Sequence, residues 1–266
     1  MSDHNASRLA LPTVTLCAVS SSNVAATIRA MEASLEQVDF AKALLFTHCE
    51  RASLGTNPDT RIEFVAIEPI VSSEAYSRFI LDDLAQHIET DHCLIVQWDG
   101  HVIDARQWHD EFLEYDYIGA SWPQFDDGHD VGNGGFSLRS KGLMQACSSS
   151  EFQPHHPEDI AICRTNRPLL EAQGFRFASA EIADRFAAER AGEPESSFGY
   201  HGIFLMPRAL GTEAFWTVYE TLDDRSTLRH DFWSILAQVM LGRRGLRRGF
   251  MLLVNRLRGY SRKSKR

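Results

Sequence analysis

Short apolar runs alternate with amphipathic stretches over the first third of the chain. Val14–Ser20 (VTLCAVS) is apolar at strand length, ends in a run of serines and Asn23, and leads into an alanine-rich amphipathic stretch reaching about Leu35. The pattern predicts a strand, a polar turn and a helix, with Ser21, Ser22 or Asn23 able to cap the helix. Ala41–Thr47 (AKALLFT) and Arg61–Ile67 (RIEFVAI) predict two more strands. From Ser73 to His87 the period is helical, because Ala75, Phe79, Ile80, Leu84 and the following Ile88 fall near one face. His92–Gln97 (HCLIVQ) is the most strand-like run, and the chain turns polar directly after it. Strands alternating with helices predict βαβ units and a mostly parallel sheet with helices on both faces.

Beyond residue 98 the pattern is irregular and rich in Gly, Asp, His and Trp. Loops of that kind over an α/β sheet hold ligands outside the carboxyl ends of the strands. Pro157 opens a short helical stretch (PEDIAICR), and Pro207–Leu222 and Arg229–Leu241 predict helices. The expected organisation is a loose N-terminus over 1–11, one α/β domain over 12–241 and a basic amphipathic segment over 242–266.

Charge sharpens that division. The net charge is −9, but residues 1–242 carry −19 while 243–266 carry +10 with no acidic residue. An acidic body argues against nucleic acid as the main partner, and a basic end argues for a polyanionic surface. Five scattered cysteines, Cys17, Cys49, Cys93, Cys147 and Cys163, form no zinc spacing and suit a reduced compartment. The N-terminus lacks an apolar stretch of signal-peptide length, and no run approaches the ~18 apolar residues of a membrane span. A cytoplasmic protein is expected.

Four features could carry chemistry. In Gln97-Trp98-Asp99-Gly100 an apolar strand ends on a carboxylate, which is either an Asx turn or a place for a divalent cation. Val131–Ser140 (VGNGGFSLRS) is either a hairpin before a buried strand or a backbone that approaches a ligand closely. It has neither the ending of a P-loop nor the spacing of a dinucleotide fingerprint. Glu158 and Asp159 follow Pro157 at a helix start, where the helix dipole stabilises acids and where a catalytic base could equally stand. His201 in FGYHG is either a structural histidine or a ligand.

In order, QWDG at 97–100, FLEYDYIGASWP at 112–123, GNGGFSLRS at 132–140, ED at 158–159 and FGYHG at 198–202 resemble a bacterial and fungal family catalogued as a domain of unknown function. That family is similar to nucleotide-sugar glycosyltransferases of the GT-A fold, and the resemblance runs from about residue 12 to 206. It implies a single GT-A-like, Rossmann-like domain. Asp99 would match the last Asp of an Asp-x-Asp motif, with Gln97 in place of the first, and His201 would match a late histidine completing the metal site. Ser20, Ser21 and Ser22 would line the nucleotide base and ribose, Gly134 and Gly135 would wall the donor sugar and acceptor, and Gln97, Trp98 and Asn133 would also bind donor or acceptor. Asp159 would match the base of inverting members, with Glu158 beside it for acceptor hydroxyls.

The expected activity is therefore inverting transfer of a sugar from a nucleotide-sugar donor to a hydroxyl of a cell-surface or lipid-linked glycan, supported by Mn²⁺ or Mg²⁺. A non-catalytic sugar- or nucleotide-binding module on the same scaffold is the alternative, and Gln97 is the feature that favours it. A two-metal phosphoesterase lacks the Asp/His clustering it would need. At the C-terminal end, Leu246, Phe250, Leu253, Val254 and Leu257 recur at spacings of three and four among Arg243, Arg244, Arg247, Arg248 and Arg258. Residues 243–266 are expected to seat the protein on the inner face of an anionic membrane. Packing of the stripe on the acidic body and nonspecific nucleic-acid binding are the competing readings.

Overall fold

In the computed structural model, which describes residues 8–54 and 57–259, the first apolar run is a strand, β1 (Leu9–Val19). It is followed by α1 (Val24–Gln37), β2 (Val38–Thr47) and β3 (Ile62–Ala66). Strand pairing reaches further than the apolar pattern. Leu9 already pairs with Val38, so residues 9–11 of the predicted loose N-terminus belong to β1, and residues 1–7 of that segment lie outside the described residues. The second strand starts at Val38 rather than Ala41 because α1 passes into it directly. The predicted helix after Ser73 is one α-helical turn and a half, α2 (Ser73–Arg78), continued by a π turn over Phe79–Asp83 and a 3-10 turn over Leu84–His87. β4 (His92–Ile95) then returns beside β1.

Asn23 stands at the start of α1 in the left-handed region (φ 54°) and its side chain does not cap the helix. Its Oδ1 instead accepts from the backbone N–H groups of Asp223 and Asp224, at 2.8 and 2.9 Å, and its Nδ2 donates to the Asp224 carbonyl. A residue expected to serve its own helix thus ties the first βα turn to a segment two hundred positions away.

The irregular stretch supplies short elements: β5 (Gly100–Val102), β6 (Tyr117–Ile118), β7 (Ala120–Ser121), β8 (Val131–Gly132), β9 (Ser137–Ser140), α3 (Lys141–Ala146), α4 (Glu158–Ile160), α5 (Arg167–Ala172), α6 (Ala180–Phe186), β10 (Ala187–Ala188) and β11 (Gly199–His201). The main sheet has the order β3-β2-β1-β4-β9-β6. It is parallel from β3 to β4, and β9 joins antiparallel to both β4 and β6. The period of two sorts its side chains. Leu16, Ala18, Leu45 and Leu94 face Ile28, Met31 and Leu35 of α1. Cys17, Val19, Phe46, Cys93 and Ile95 face Phe79, Ile80 and Leu84 on the other side. A helix on each face is what makes central strands apolar throughout.

The C-terminal part is helical: α7 (Met206–Ala209), α8 (Thr212–Thr221), α9 (Leu228–Leu241) and α10 (Gly245–Leu257). The helix predicted over Pro207–Leu222 is split at Gly211, whose φ of 82° ends one helix and starts the next. These helices form a second apolar cluster around Phe215, Tyr219, Phe232 and Ile235, joined to the sheet domain through Ala188, Tyr200 and Ala26. No helix among the described residues is long and apolar enough to cross a membrane.

Topology fixes where a ligand can enter. From β1 the chain steps outward to β2 and β3, then returns to the opposite side of β1 as β4. The two connections diverge at the carboxyl ends of β1 and β4 and leave a crevice between them.

Candidate functional site at the strand ends

That crevice holds a cavity of about 430 Å³. Ser20, Ser21 and Ser22 line it beyond the end of β1, Gln97 and Trp98 beyond the end of β4, with Tyr76 of α2 and Asp224 of the α8–α9 connection. The serine loop is internally braced: Ser20 Oγ donates to the Ser22 carbonyl, and Ser21 Oγ accepts from the Ile70 N–H at 2.8 Å. Gln97 Nε2 donates to Tyr76 Oη at 2.9 Å, which fixes the amide as part of the wall.

Asp99 occupies the turn between β4 and β5 and is buried. Its neighbour Gly100 pairs with His201 across the antiparallel β5–β11 ladder, so a register of backbone hydrogen bonds brings together residues a hundred positions apart. Asp99 Oδ1 lies 3.7 Å from His201 Nε2, and the other ring nitrogen, Nδ1, is 3.0 Å from Glu189 Oε1. Glu189 follows β10, whose parallel pairing with β11 sets it beside the imidazole. Burial alone would keep His201 neutral, but Asp99 and Glu189 outweigh it and hold its pKa up at about 9. For Asp99, burial raises the carboxyl above its ordinary range while His201 opposes.

The glycine loop enters from β9, whose antiparallel register with β4 (Ile95 opposite Ser137) delivers residues 133–135 to the same strand end. The left-handed residue here is Asn133 (φ 69°), not a glycine, and its Oδ1 accepts from the Gly135 N–H at 2.8 Å. The glycines are needed for space. A Cβ on Gly134 would stand 1.9 Å from Glu158 Oε1, and one on Gly135 would stand 2.0 Å from His201 Nε2. The dipeptide is therefore clasped between the Glu158–Asp159 pair and the imidazole.

Each carboxylate of that pair has its own environment. Glu158 is buried against Arg139, with Nη2 to Oε1 at 3.2 Å, and Ser77 Oγ lies 3.4 Å from its other oxygen. Asp159 accepts from the backbone N–H groups of Ile160 (2.8 Å) and Gly134 (3.3 Å). Burial, reinforced by the charge of Glu158, lifts the Asp159 carboxyl to about 6. A carboxyl poised there takes up and releases protons near neutral pH, as a general base must.

Three buried polar atoms around the dipeptide have no hydrogen-bond partner among the described residues: Asn133 Nδ2, Arg139 Nη1 and His201 Nε2. Buried polar atoms are normally satisfied, and three orphans around one dipeptide mark a place shaped for something else. Once its Nε2 proton is displaced, His201 could ligate a divalent cation together with Asp99 Oδ1, with Glu189 orienting the ring through its far nitrogen. No group of three or more His, Cys, Asp or Glu side chains able to hold a metal occurs among the described residues, so the protein would offer two ligands.

The predicted residues thus fall in two adjoining groups. Ser20, Ser21, Ser22, Gln97 and Trp98 line the cavity; Asp99, Asn133, Gly134, Gly135, Glu158, Asp159 and His201 gather beside it. Trp98 and Asp99, and Tyr76 and Ser77, join the groups through the chain. Sequence reasoning missed Arg139, Glu189, Tyr76 and Asp224. Arg139 left a signal, a lone cation inside the strand-like run FSLRS; the other three stand in no pattern that marks them.

Residues 59–201, just over half of the chain, match the model of a family described as Protein of unknown function (DUF5672). The match includes every residue around the glycine dipeptide but neither the serine loop nor the C-terminal helices. The comparison with curated proteins returns no match.

Proposed function

The chain belongs to the family of proteins of unknown function DUF5672, and we propose that it is a glycosyltransferase of GT-A type, moving a sugar from a nucleotide-activated donor to an acceptor hydroxyl with inversion. The observation that carries the reading is the Gly134–Gly135 dipeptide, held between a carboxyl of raised pKa and an imidazole with an unpartnered buried nitrogen. It adjoins a cavity at the strand ends large enough for a nucleotide.

Asp159 takes the proton of the acceptor hydroxyl as that oxygen bonds to C1 of the donor sugar. The bond from C1 to the diphosphate oxygen breaks, and the nucleoside diphosphate leaves with the electron pair. Glu158, paired with Arg139, packs against Gly134, and its remaining charge adds to burial in keeping the Asp159 carboxyl raised. Ser20, Ser21 and Ser22 contact the nucleoside, and Trp98 and Asn133 contact the sugar. Asp99 and His201 would hold Mn²⁺ or Mg²⁺, which when bound neutralises charge on the departing diphosphate. Two protein ligands suffice where substrate oxygens and water supply the rest.

The test has two stages. UDP-, GDP-, CMP- and dTDP-sugars are screened by thermal shift with and without Mn²⁺, and one nucleotide class should stabilise the protein. Release of the matching nucleotide, a nucleoside diphosphate or, from a CMP-sugar, CMP, should then rise when glycan acceptors are added. Stabilisation with no release across acceptors would instead favour a non-catalytic nucleotide-sugar binder, the reading that Gln97 supports by replacing a carboxylate and bonding to Tyr76. No stabilisation by any donor would overturn both.

A further inference from the structure

The helix α10 has two apolar aspects, and only one of them is used. Its inner side meets the body: Leu252 is fully buried, Gly249 packs under Met240 and Leu236 of α9, and Arg248 forms a bidentate pair with Glu213 of α8. Arg248, counted by its spacing among the flanking basic residues, is therefore a structural cation. The opposite side carries Leu246, Phe250, Leu253 and Leu257, at successive spacings of four, three and four. Leu246 is 80% exposed, Phe250 68% and Leu257 87%. The face is left over after the helix has docked, so packing on the body does not account for it. α9 adds Trp233 and Leu241, both exposed, and Arg256 of α10 places its guanidinium 5.7 Å from the Trp233 ring.

The charge around this face selects what covers it. Arg243, Arg244, Arg247 and Arg258 are exposed on or beside α10, and no acidic residue occurs from 243 onward. A second copy applied face to face would bring these arginines together, which like charges oppose. Nucleic acid would take the arginines but leave the leucines and Phe250 in water. An anionic bilayer satisfies both, with side chains among the acyl chains and guanidinium groups at headgroup level. The rest of the chain, at −19, is repelled by the same surface, which turns the α10 face toward it. At 13 residues, α10 spans about 20 Å and would lie in the interface rather than cross it.

We propose that α10, with the exposed end of α9, is a docking surface for anionic phospholipid membranes. The inference is independent of the chemistry assigned to the strand-end site. The full chain is mixed with neutral phosphatidylcholine vesicles and with vesicles containing phosphatidylglycerol, at low and high salt, and vesicles are sedimented. Protein should pellet with the anionic vesicles only, and less at high salt. Phe250→Ser with Leu253→Ser should lower partitioning at least about tenfold, given the transfer free energy of large apolar side chains. Arg243→Gln, Arg247→Gln and Arg258→Gln together should lower it about a hundredfold, at about fivefold for each charge. All five positions are solvent-facing, so thermal melts of the variants should match the parent. Brominated acyl chains should quench Trp233, as judged by the loss of the effect in Trp233→Phe. Equal pelleting with neutral and anionic vesicles, or none with either, overturns the proposal. So does a dimer of the lipid-free protein that Phe250→Ser and Leu253→Ser dissociate, which would make the face an interface between copies.

Discussion

The strand-end site and the α9–α10 hairpin depart from the usual sorting of residues in opposite directions. Around Gly134 and Gly135 the protein buries Asp99, Glu158 and Arg139 and a histidine whose Nε2 is sealed from water. On the hairpin it leaves Leu246, Phe250 and Leu257 in water. Both arrangements oppose stability. Burial of a charge costs several kcal/mol unless it is paired, and an exposed leucine or phenylalanine forgoes the ~1.5–3 kcal/mol that its burial would contribute. Neither is needed to close the fold, since the sheet and its two helical faces already provide the apolar core. The comparison teaches where to look for function: at the sites where folding alone would have chosen another residue.

Four substitutions and one titration probe that contrast. Asp159→Asn should have the largest effect, lowering turnover about 10³-fold or more while leaving donor affinity nearly unchanged, as steady-state and binding measurements would show. Its effect on stability should be small or favourable. The folded carboxyl binds its proton more tightly than an unfolded one, so ionising it destabilises the fold as pH rises from the ordinary carboxyl range toward about 6. A neutral amide at neutral pH escapes that cost, though it sacrifices one of two backbone hydrogen bonds. Loss of both activity and stability would place Asp159 among the structural acids instead.

Glu158→Ala should do the reverse. It strands the Arg139 guanidinium, which is 1% exposed, and should cost about 3–5 kcal/mol in denaturant unfolding. Glu158→Gln, which retains an oxygen for Arg139, should recover part of that. A near-neutral Glu158→Ala would mean that the buried pair does not brace the loop.

The pH profile gives a smaller, graded effect. If ionised Asp159 is the working form, kcat/KM should fall about tenfold per pH unit below about 6 and level off above it. A profile that is flat from pH 5 to 7 would remove Asp159 as the base. The smallest effect is expected on the hairpin, where Phe250→Ser should change unfolding free energy by less than about 0.5 kcal/mol. A substantially larger loss would show that Phe250 packs in the folded protein, and the contrast between the two regions would vanish.

Much of the fold was legible because local rules wrote it. Apolar runs of strand length at 14–20, 41–47 and 92–97, separated by helical periods, predict the parallel part of the sheet, and it forms there. The ends were less legible: pairing of Leu9 with Val38 extends β1 past its apolar run, because a backbone ladder needs no apolar side chain. Asp99, Glu158, Asp159 and His201 were candidates with a structural alternative each, and the order of the motifs and the resemblance it carries gave them their expected roles. How those residues meet, and which of them are spent, was settled by folding. The β5–β11 register brings His201 to Asp99, and the β4–β9 register brings the glycine loop to the same end. Burial beside Arg139 commits Glu158 to an ion pair, while Asp159 keeps a carboxyl of raised pKa. On α10 the sequence set the amphipathic period, but docking of Arg248 and Leu252 decided which side faces solvent. Period and residue type are properties of neighbours along the chain, whereas register, desolvation and exposure depend on partners far away in sequence, and those exist only once the chain has folded.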